Sequence, residues 1–143
     1  MLRDTKTSDT TGASILAAGH ALFAALGAGD IATLERLLAD DFVGHLTDGL
    51  PEDFGGHYKG RAAMMRDGWG RIGARLAMAP EVDRLWDGGD VLVARGHYVG
   101  HTVEGDRPIR AAFAHFWTWD GTRFTAVTQI TDSATWAAAL AYA

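Results

Sequence analysis

A long β-hairpin near the C-terminus is the feature that most constrains how this chain can fold. It spans Pro108 to Asp132, PIRAAFAHFWTWDGTRFTAVTQITD, with Asp120-Gly121 near its centre. Glycine accepts the positive φ that tight hairpin turns require, so this pair predicts the turn. The aromatic and β-branched residues on both sides of the pair favour extended strands. The chain is therefore expected to contain a sheet in which this hairpin supplies two neighbouring strands.

His115 lies in the middle of the first hairpin strand and is the one titratable residue between Arg110 and Asp120. Its neighbours in sequence include four aromatic residues: Phe113, Phe116, Trp117 and Trp119. A histidine in such surroundings must be paired, lie at a boundary, or face a pocket. Because imidazole titrates near neutrality, we interpret His115 as an acid/base group in a pocket. The alternative is a histidine whose hydrogen bonds are satisfied within the sheet or in a dimer interface.

Composition excludes several classes of protein. At 143 residues the chain is long enough for one domain with a real core. The net charge of −5 and the absence of a Lys/Arg run argue against general nucleic-acid binding. Without cysteine there are no disulfides, thiolate nucleophiles or cysteine zinc sites. No apolar run approaches the ~20 residues of a membrane span.

We expect a cytoplasmic protein with a polar, disordered segment over 1–12, no signal peptide, and a single domain over 13–143.

Periodicity along the chain indicates the order of its elements. Helices are predicted over 13–27, 31–39, 61–76 and, with Ser133 as N-cap, 133–142. Strands are predicted over 42–46, 80–86, 91–103 and both arms of the hairpin. The Gly-rich stretch 47–60 is interpreted as a long loop. Helices followed by a run of strands predict an α+β fold, in which a curved antiparallel sheet wraps around three helices and leaves a cavity at its open end.

The register of the hairpin decides whether a second polar residue faces the same way as His115. With a two-residue loop, His115 pairs with Ala126 and Gln129 faces away. With a three-residue loop, His115 pairs with Val127 and Gln129 shares its face, since side chains alternate with period two. The sequence does not choose between the two. Asp132, three residues further, is either an acid of the site or a cap of the last helix.

The order of elements resembles the nuclear transport factor 2-like superfamily, and three segments resemble its SnoaL-like, ketosteroid-isomerase-related branch. They are GAGDIATLERLLADDF (27–42), LPEDFGGHYKGRAAM (50–64) and HFWTWDGTRFTAVTQITDSATWAAAL (115–140). The resemblance implies an α+β cone with a deep apolar pocket, usually as a homodimer. It also implies a site with no cofactor and no metal.

The resemblance does not extend to the residues of ketosteroid isomerase chemistry. That family uses a tyrosine and two carboxylates, one of them protonated. Leu22, Leu46 and His115 stand at the corresponding positions here, which argues against steroid isomerisation. SnoaL-like cyclases are described with a histidine and an aspartate. By this resemblance His115 matches the histidine, Gln129 lies near the position of the acid, and Asp132 follows three residues later.

Other candidates depend on local geometry. His45 and Asp48 flank Leu46, and a one-residue bulge would turn either inward; Asp48 could instead form an Asx turn. Tyr58, in the long loop, either closes the mouth of the pocket or lies on the surface. Tyr98 points to the opposite face from His97 and His101 on the same predicted strand. The family resemblance favours the orientation in which Tyr98 faces the pocket. The remaining candidates for the pocket wall are aromatic residues that a core needs equally: Trp69, Trp86, Phe113 and Trp117.

Two hypotheses follow. The first is a cofactor-free enzyme acting on a polyketide- or terpenoid-like hydrophobic molecule by proton transfer, as in cyclisation, isomerisation or dehydration. His115 would move the proton, and Gln129 or Asp48 would polarise an oxygen. The second is a non-catalytic module of the same fold for ligand binding or dimerisation. A carboxylate hydrogen-bonded to His115 inside a cavity would favour catalysis, and a dry apolar cavity would favour binding. In either case the strands over 91–130, apolar on both faces, predict a homodimer.

Overall fold

The computed structural model describes residues 14–141 and contains one curved, unclosed sheet with helices packed against its concave face. The strands are β1 (Leu38–Leu46), β2 (Gly56–Lys59), β3 (Leu76–Asp87), β4 (Val91–Thr102), β5 (Pro108–Trp119) and β6 (Phe124–Thr131). The helices are α1 (Ile15–Ala28), α2 (Ile31–Leu37), α3 (Arg61–Ala63), α4 (Gly70–Arg75) and α5 (Ser133–Leu140), with a π-helical segment (Met64–Trp69) that joins α3 to α4. A 3₁₀ turn covers Pro51–Asp53. The predicted α+β class with a curved sheet is confirmed.

The sheet is mixed rather than wholly antiparallel. Its strand order is β2-β1-β6-β5-β4-β3. The consecutive strands β3 to β6 form an antiparallel meander, and β1 joins the free edge of β6 in a parallel pairing. The expectation of antiparallel strands throughout is wrong at this one pair. Helix α2 leads directly into β1, and no hairpin joins β1 to β6. A strand that is not joined to its neighbour by a hairpin can run in either direction.

Capping explains where the first helices begin and end. Ser14 Oγ accepts a hydrogen bond from Ala17 N at the start of α1, and Gly29 ends that helix with φ 67°. Asp30 caps α2 in the same manner through Thr33 N. Helix α2 ends two residues earlier than predicted, because β1 begins at Leu38 and pairs there with β6.

The third predicted helix has the expected extent but a different internal geometry. Between α3 and α4 the hydrogen bonds shift to π spacing, as in the bond from Gly70 N to Met65 O. The side chain of Met64 fills the space between this helix and β1, where a Cβ at Gly44 or Gly68 would collide with it. The helix consequently lies close to the sheet. π-helical segments of this kind are often found at functional sites.

The hairpin has a register that neither sequence-based alternative described. Trp119 pairs with Phe124, so the loop has four residues, and a bulge follows between Thr118 and Trp119. The bulge brings His115 directly opposite Gln129. Both predicted pairings of His115 are therefore wrong, although the shared face of His115 and Gln129 that the three-residue loop implied is present.

Two further local expectations are corrected. The stretch predicted as a loop contains β2, a four-residue edge strand whose length is too short for a periodic signal. The N-cap of α5 is Asp132, and Ser133 is the first helical residue. The expected disordered segment 1–12 and the last residue of the predicted final helix, Tyr142, lie outside the described residues. Within 14–141, no helix has the length and apolar character needed to cross a membrane.

Candidate active site

A cavity of ≈ 280 Å³ lies between the concave face of the sheet and the helices. Most of its wall is apolar, and includes Leu34, Leu46, Trp69, Ile72, Val127 and Trp136. The polar side chains that reach it from the sheet are Tyr98, His115 and Gln129. Among the described residues, none that lines the cavity is an aspartate, glutamate, lysine or arginine. The cavity therefore suits an apolar molecule with one polar end.

Strand β4 presents Tyr98 between two glycines on the same face. Residues two apart lie on the same face of a strand, so Gly96, Tyr98 and Gly100 all lie on the inner face of β4. A Cβ at either glycine would collide with the backbone of β3. These glycines let β3 approach closely and leave Tyr98 as the large side chain on this stretch of strand. Tyr98 is 8 % exposed.

The Tyr98 hydroxyl contacts two buried polar side chains. His115 and Gln129 face each other across β5 and β6, and each is 5 % exposed. Tyr98 Oη lies 2.7 Å from His115 Nε2. Gln129 Nε2 donates to the same oxygen at 2.7 Å. The three residues form one continuous network at the polar end of the cavity.

Two groups that can only donate lie at the ends of this network. Trp117 Nε1 donates to His115 Nδ1 at 3.2 Å. The backbone N of Thr47 donates to Gln129 Oε1 at 3.1 Å. Indole and backbone N–H groups have no acceptor role. His115 Nδ1 must therefore carry a lone pair, and the Gln129 amide must turn its NH₂ group toward Tyr98.

The direction of every hydrogen bond in the network follows. With a lone pair on Nδ1, the neutral imidazole of His115 carries its proton on Nε2 and donates to Tyr98. Tyr98 Oη accepts from both His115 and Gln129, so its own hydroxyl proton is used by neither. Because Tyr98 lines the cavity, this proton is available to an acceptor atom of a bound molecule. The site can therefore donate a hydrogen bond from one fixed position.

Burial keeps both titratable groups of the network neutral. It lowers the pKa of His115 to about 3. Protonation of Nδ1 would also set its N–H against that of Trp117. Burial raises the pKa of Tyr98, and the hydrogen bond from Gln129 opposes that rise only in part. The expectation that His115 titrates near neutrality is wrong, since the ring is neutral over the ordinary pH range.

Five of the predicted site residues line the cavity: Tyr98, His115, Gln129, Trp69 and Trp117. Phe113 supports them from the side, with its ring 4.3 Å from that of His115 and 4.6 Å from that of Tyr98. Phe113 is buried but is not part of the cavity wall.

The predicted acids lie elsewhere. Asp48 is exposed and pairs with His45 at 3.2 Å. His45 also stacks on His57 with ring centroids 4.1 Å apart. No bulge turns His45 or Asp48 inward, and Leu46 faces the cavity instead. Asp132 is exposed and accepts hydrogen bonds from Thr135 N and Oγ1, because it caps α5.

Two predicted wall residues also lie outside the cavity. Tyr58 donates to Phe54 O at 2.7 Å and so holds the long loop rather than covering an entrance. Trp86 lies outside the cavity wall, with the guanidinium carbons of Arg84 and Arg95 at 4.8 and 5.3 Å from its ring.

Sequence reasoning missed two residues that build the site. Thr47 orients Gln129 through its backbone N–H, and its hydroxyl donates to Gln129 O at 2.8 Å. Trp136 lines the cavity and packs edge-on against Tyr98 at 5.4 Å. A lone tryptophan in the alanine-rich final helix was a usable signal for Trp136. Nothing in the local sequence singles out Thr47. Within residues 14–141, no three His, Asp or Glu side chains form a group that could hold a metal ion.

The chain matches the SnoaL-like domain over residues 20–127. Solved structures share the fold. An NTF2-like protein from Burkholderia thailandensis is 23 % identical with a TM-score of 0.77, over 86 % of this chain and 94 % of that one. IdmH from Streptomyces antibioticus, a candidate polyketide cyclase, is 24 % identical with a TM-score of 0.73, over 88 % and 97 %. TerC, co-crystallised with polyporic acid, is 21 % identical with a TM-score of 0.76, over 88 % and 97 %. No curated protein matches the chain. Since the domain match covers most of its length, this chain belongs to the SnoaL-like domain family.

Proposed function

We propose that this protein is a cofactor-free enzyme that binds a polyketide- or terpenoid-like molecule and transfers a proton at an oxygen held by Tyr98. The observation that carries the proposal is the Tyr98 hydroxyl, which accepts two hydrogen bonds and keeps its own proton for the cavity. The family and fold, shared with the candidate cyclase IdmH, agree with cyclase- or isomerase-type chemistry. The crystal structure of TerC, which was co-crystallised with polyporic acid, supports the proposal that this chain also binds a small molecule.

The proposed reaction is a proton relay through one hydroxyl. Tyr98 donates its proton to a substrate carbonyl oxygen as negative charge develops there, for example when an enol carbon attacks that carbonyl and a C–C bond forms. His115 Nε2–H and Gln129 Nε2–H hold the resulting phenolate oxygen. The phenolate then takes the proton of the enol hydroxyl and returns to its starting state. Preorganised donors aimed at developing charge are a large source of rate enhancement.

In this scheme His115 and Gln129 hold and polarise Tyr98 rather than exchange protons with the substrate. The wall formed by Trp69, Trp117 and Trp136 binds the apolar part of the molecule and excludes water. The chemistry needs neither metal nor cofactor, so activity should persist after dialysis against EDTA.

We also propose that the outer face of the sheet binds a second copy of the chain. Two large apolar side chains of this face are exposed, Phe116 at 39 % and Ile130 at 55 %. They lie on β5 and β6, whose opposite faces carry the buried residues His115 and Gln129. Exposed apolar surface on a sheet is typical of an association site.

The alternative is a non-catalytic module that binds a small molecule. It is favoured by the lack of a carboxylate hydrogen-bonded to His115 among the described residues, and by the pKa of about 3 for this ring. Without a base of ordinary strength in the cavity, the site could hold a ligand and leave it unchanged.

Exchange of α-protons separates the two functions without a known substrate. 2-Indanone is a small ketone with acidic α-protons, and NMR in D₂O follows their replacement by deuterium. In this assay solvent hydroxide removes the α-proton, and the Tyr98 hydroxyl stabilises the enolate oxygen that forms in the cavity. The enzyme hypothesis therefore predicts faster exchange with the wild-type protein, and loss of that acceleration in Tyr98→Phe. Tyr58→Phe is the matched control, because it removes a phenolic hydroxyl outside the cavity and should retain the acceleration. Binding of 2-indanone without faster exchange would refute the enzyme and support the binding module.

A further inference from the structure

We infer that Trp117 is a positioning residue that fixes Tyr98 as a hydrogen-bond donor, so that the cavity selects neutral carbonyl compounds of one or two rings. This inference rests on the proposed function, because it names the substrate class and the selectivity of the same cavity. It assigns to Trp117 a role beyond that of an apolar wall residue.

A tyrosine hydroxyl can donate or accept, so its role depends on its neighbours. If His115 carried its proton on Nδ1, its Nε2 would accept the Tyr98 proton at 2.7 Å. The hydroxyl would then offer the ligand only a lone pair. The Trp117 Nε1–H, 3.2 Å from Nδ1, opposes that tautomer because two N–H groups would face each other. Trp117 thereby controls which way the Tyr98 proton points.

The other side of Tyr98 is controlled in a similar way. If the Gln129 amide were turned over, its oxygen would accept the Tyr98 proton. The Thr47 backbone N–H, 3.1 Å from Oε1, opposes that orientation. Tyr98 Oη consequently accepts two hydrogen bonds in the ground state and has no free lone pair for a donor ligand. A carbonyl oxygen, which only accepts, is the complementary group.

Size and charge narrow the ligand class further. An apolar cavity of about 150 Å³ holds one benzene ring, so ≈ 280 Å³ gives room for about two rings. The described residues that line the cavity carry no charged side chain. A charged ligand would lose its hydration without gaining an ionic partner, which is costly. A neutral ligand is therefore favoured over a carboxylate or an amine.

Three two-ring probes of similar size test the selectivity. 2-Indanone has only an acceptor, indole has only a donor, and indane has neither. We expect the wild-type protein to bind 2-indanone about 2- to 10-fold more tightly than indane, as one net hydrogen bond provides. Indole should bind no more tightly than indane. NMR titration of the protein with each probe gives the three dissociation constants.

Trp117→Phe removes the indole N–H and keeps an aromatic ring. We expect the preference for 2-indanone over indane to fall toward one, and ¹⁵N NMR to show Nδ1-protonated His115 in addition to the Nε2-protonated form. Trp119→Phe is the matched control. It lies two residues further along the same face of β5, packs on Phe124 at 4.7 Å and is not part of the cavity wall. It should leave both the tautomer and the preference unchanged.

Two results on the wild-type protein would overturn the inference even if Trp117→Phe did not fold. One is an ¹⁵N spectrum with His115 protonated on Nδ1, and the other is equal affinity for 2-indanone and indane. An unchanged tautomer and preference in folded Trp117→Phe would refute the role of Trp117. The exchange assay distinguishes this inference from the proposed function. Exchange without carbonyl preference refutes the selectivity, whereas preference without exchange refutes the enzyme and leaves the selectivity standing.

Discussion

Replacing Tyr98 by phenylalanine should destabilise the protein substantially, although the change adds no bulk and keeps the ring. The hydroxyl oxygen accepts hydrogen bonds from His115 Nε2 and Gln129 Nε2, both at 2.7 Å. Neither donor can turn to a new partner, because Trp117 fixes the imidazole and Thr47 fixes the amide. The substitution therefore leaves two buried N–H groups unsatisfied at once.

The magnitude follows from the cost of each orphaned donor. A buried polar group that loses its partner costs about 1–3 kcal/mol, so two of them would cost about 2–6 kcal/mol. A water molecule entering from the cavity could contact both donors and recover part of this. We expect the free energy of unfolding of Tyr98→Phe to fall by about 2–4 kcal/mol.

Urea unfolding of the wild-type and variant proteins measures this difference, provided that the two m-values agree. Tyr58→Phe is the control, since it removes one hydrogen bond to a backbone carbonyl and should cost about 1 kcal/mol. If Tyr98→Phe cost less than about 0.5 kcal/mol, the two donors would not depend on the hydroxyl, and the network would have a different polarity.

Three other predictions concern pH, capping and assembly. Between about pH 6.5 and pH 3 the unfolded chain binds a proton at His115 that the folded chain does not, so the free energy of unfolding should fall on acidification by about 1.4 kcal/mol per pH unit. His115→Gln keeps one donor and one acceptor and should remove this slope in urea titrations from pH 6.5 to 5; an unchanged slope would assign it to other groups. Asp132→Ala should lower the urea midpoint by less than Tyr98→Phe, through loss of the α5 cap, and a neutral result would contradict the capping role. Light scattering should give twice the mass of one chain, and a monomer at micromolar concentration would refute the dimer.

The class of fold was predictable because its signals are long and repeated. The hairpin around Asp120-Gly121 and the helical stripe that includes Trp69 and Ile72 each extend over many residues. Local features that depend on one or two residues were not predictable. The bulge between Thr118 and Trp119 shifts the register of the rest of the hairpin, and the alternation of the two strands does not mark it. The edge strand β2 has too few residues for its alternation to differ from that of a loop.

The candidate site was predictable only in part. The aromatic surroundings of His115 indicated a pocket, the family resemblance favoured Tyr98 inside, and the orientation of Gln129 stayed open because it depends on the register of the hairpin. All three residues line the cavity. Which of them faces a ligand as a donor depends on Trp117 Nε1 and Thr47 N, and their contacts exist only in three dimensions. Asp48 and Asp132 were predicted as candidate acids of the site. Their side chains are instead satisfied by His45 and by the start of α5, which are local partners available to any carboxylate at those positions.

The central claim is that the Tyr98 hydroxyl donates its proton to a carbonyl oxygen in the cavity. Infrared spectroscopy of bound 2-indanone tests it directly, because a hydrogen bond to the oxygen weakens the C=O bond. The carbonyl stretch should lie at lower wavenumber in the wild-type complex than in the Tyr98→Phe complex, where the hydroxyl that donates to the oxygen is missing. The same frequency in both complexes would contradict the claim.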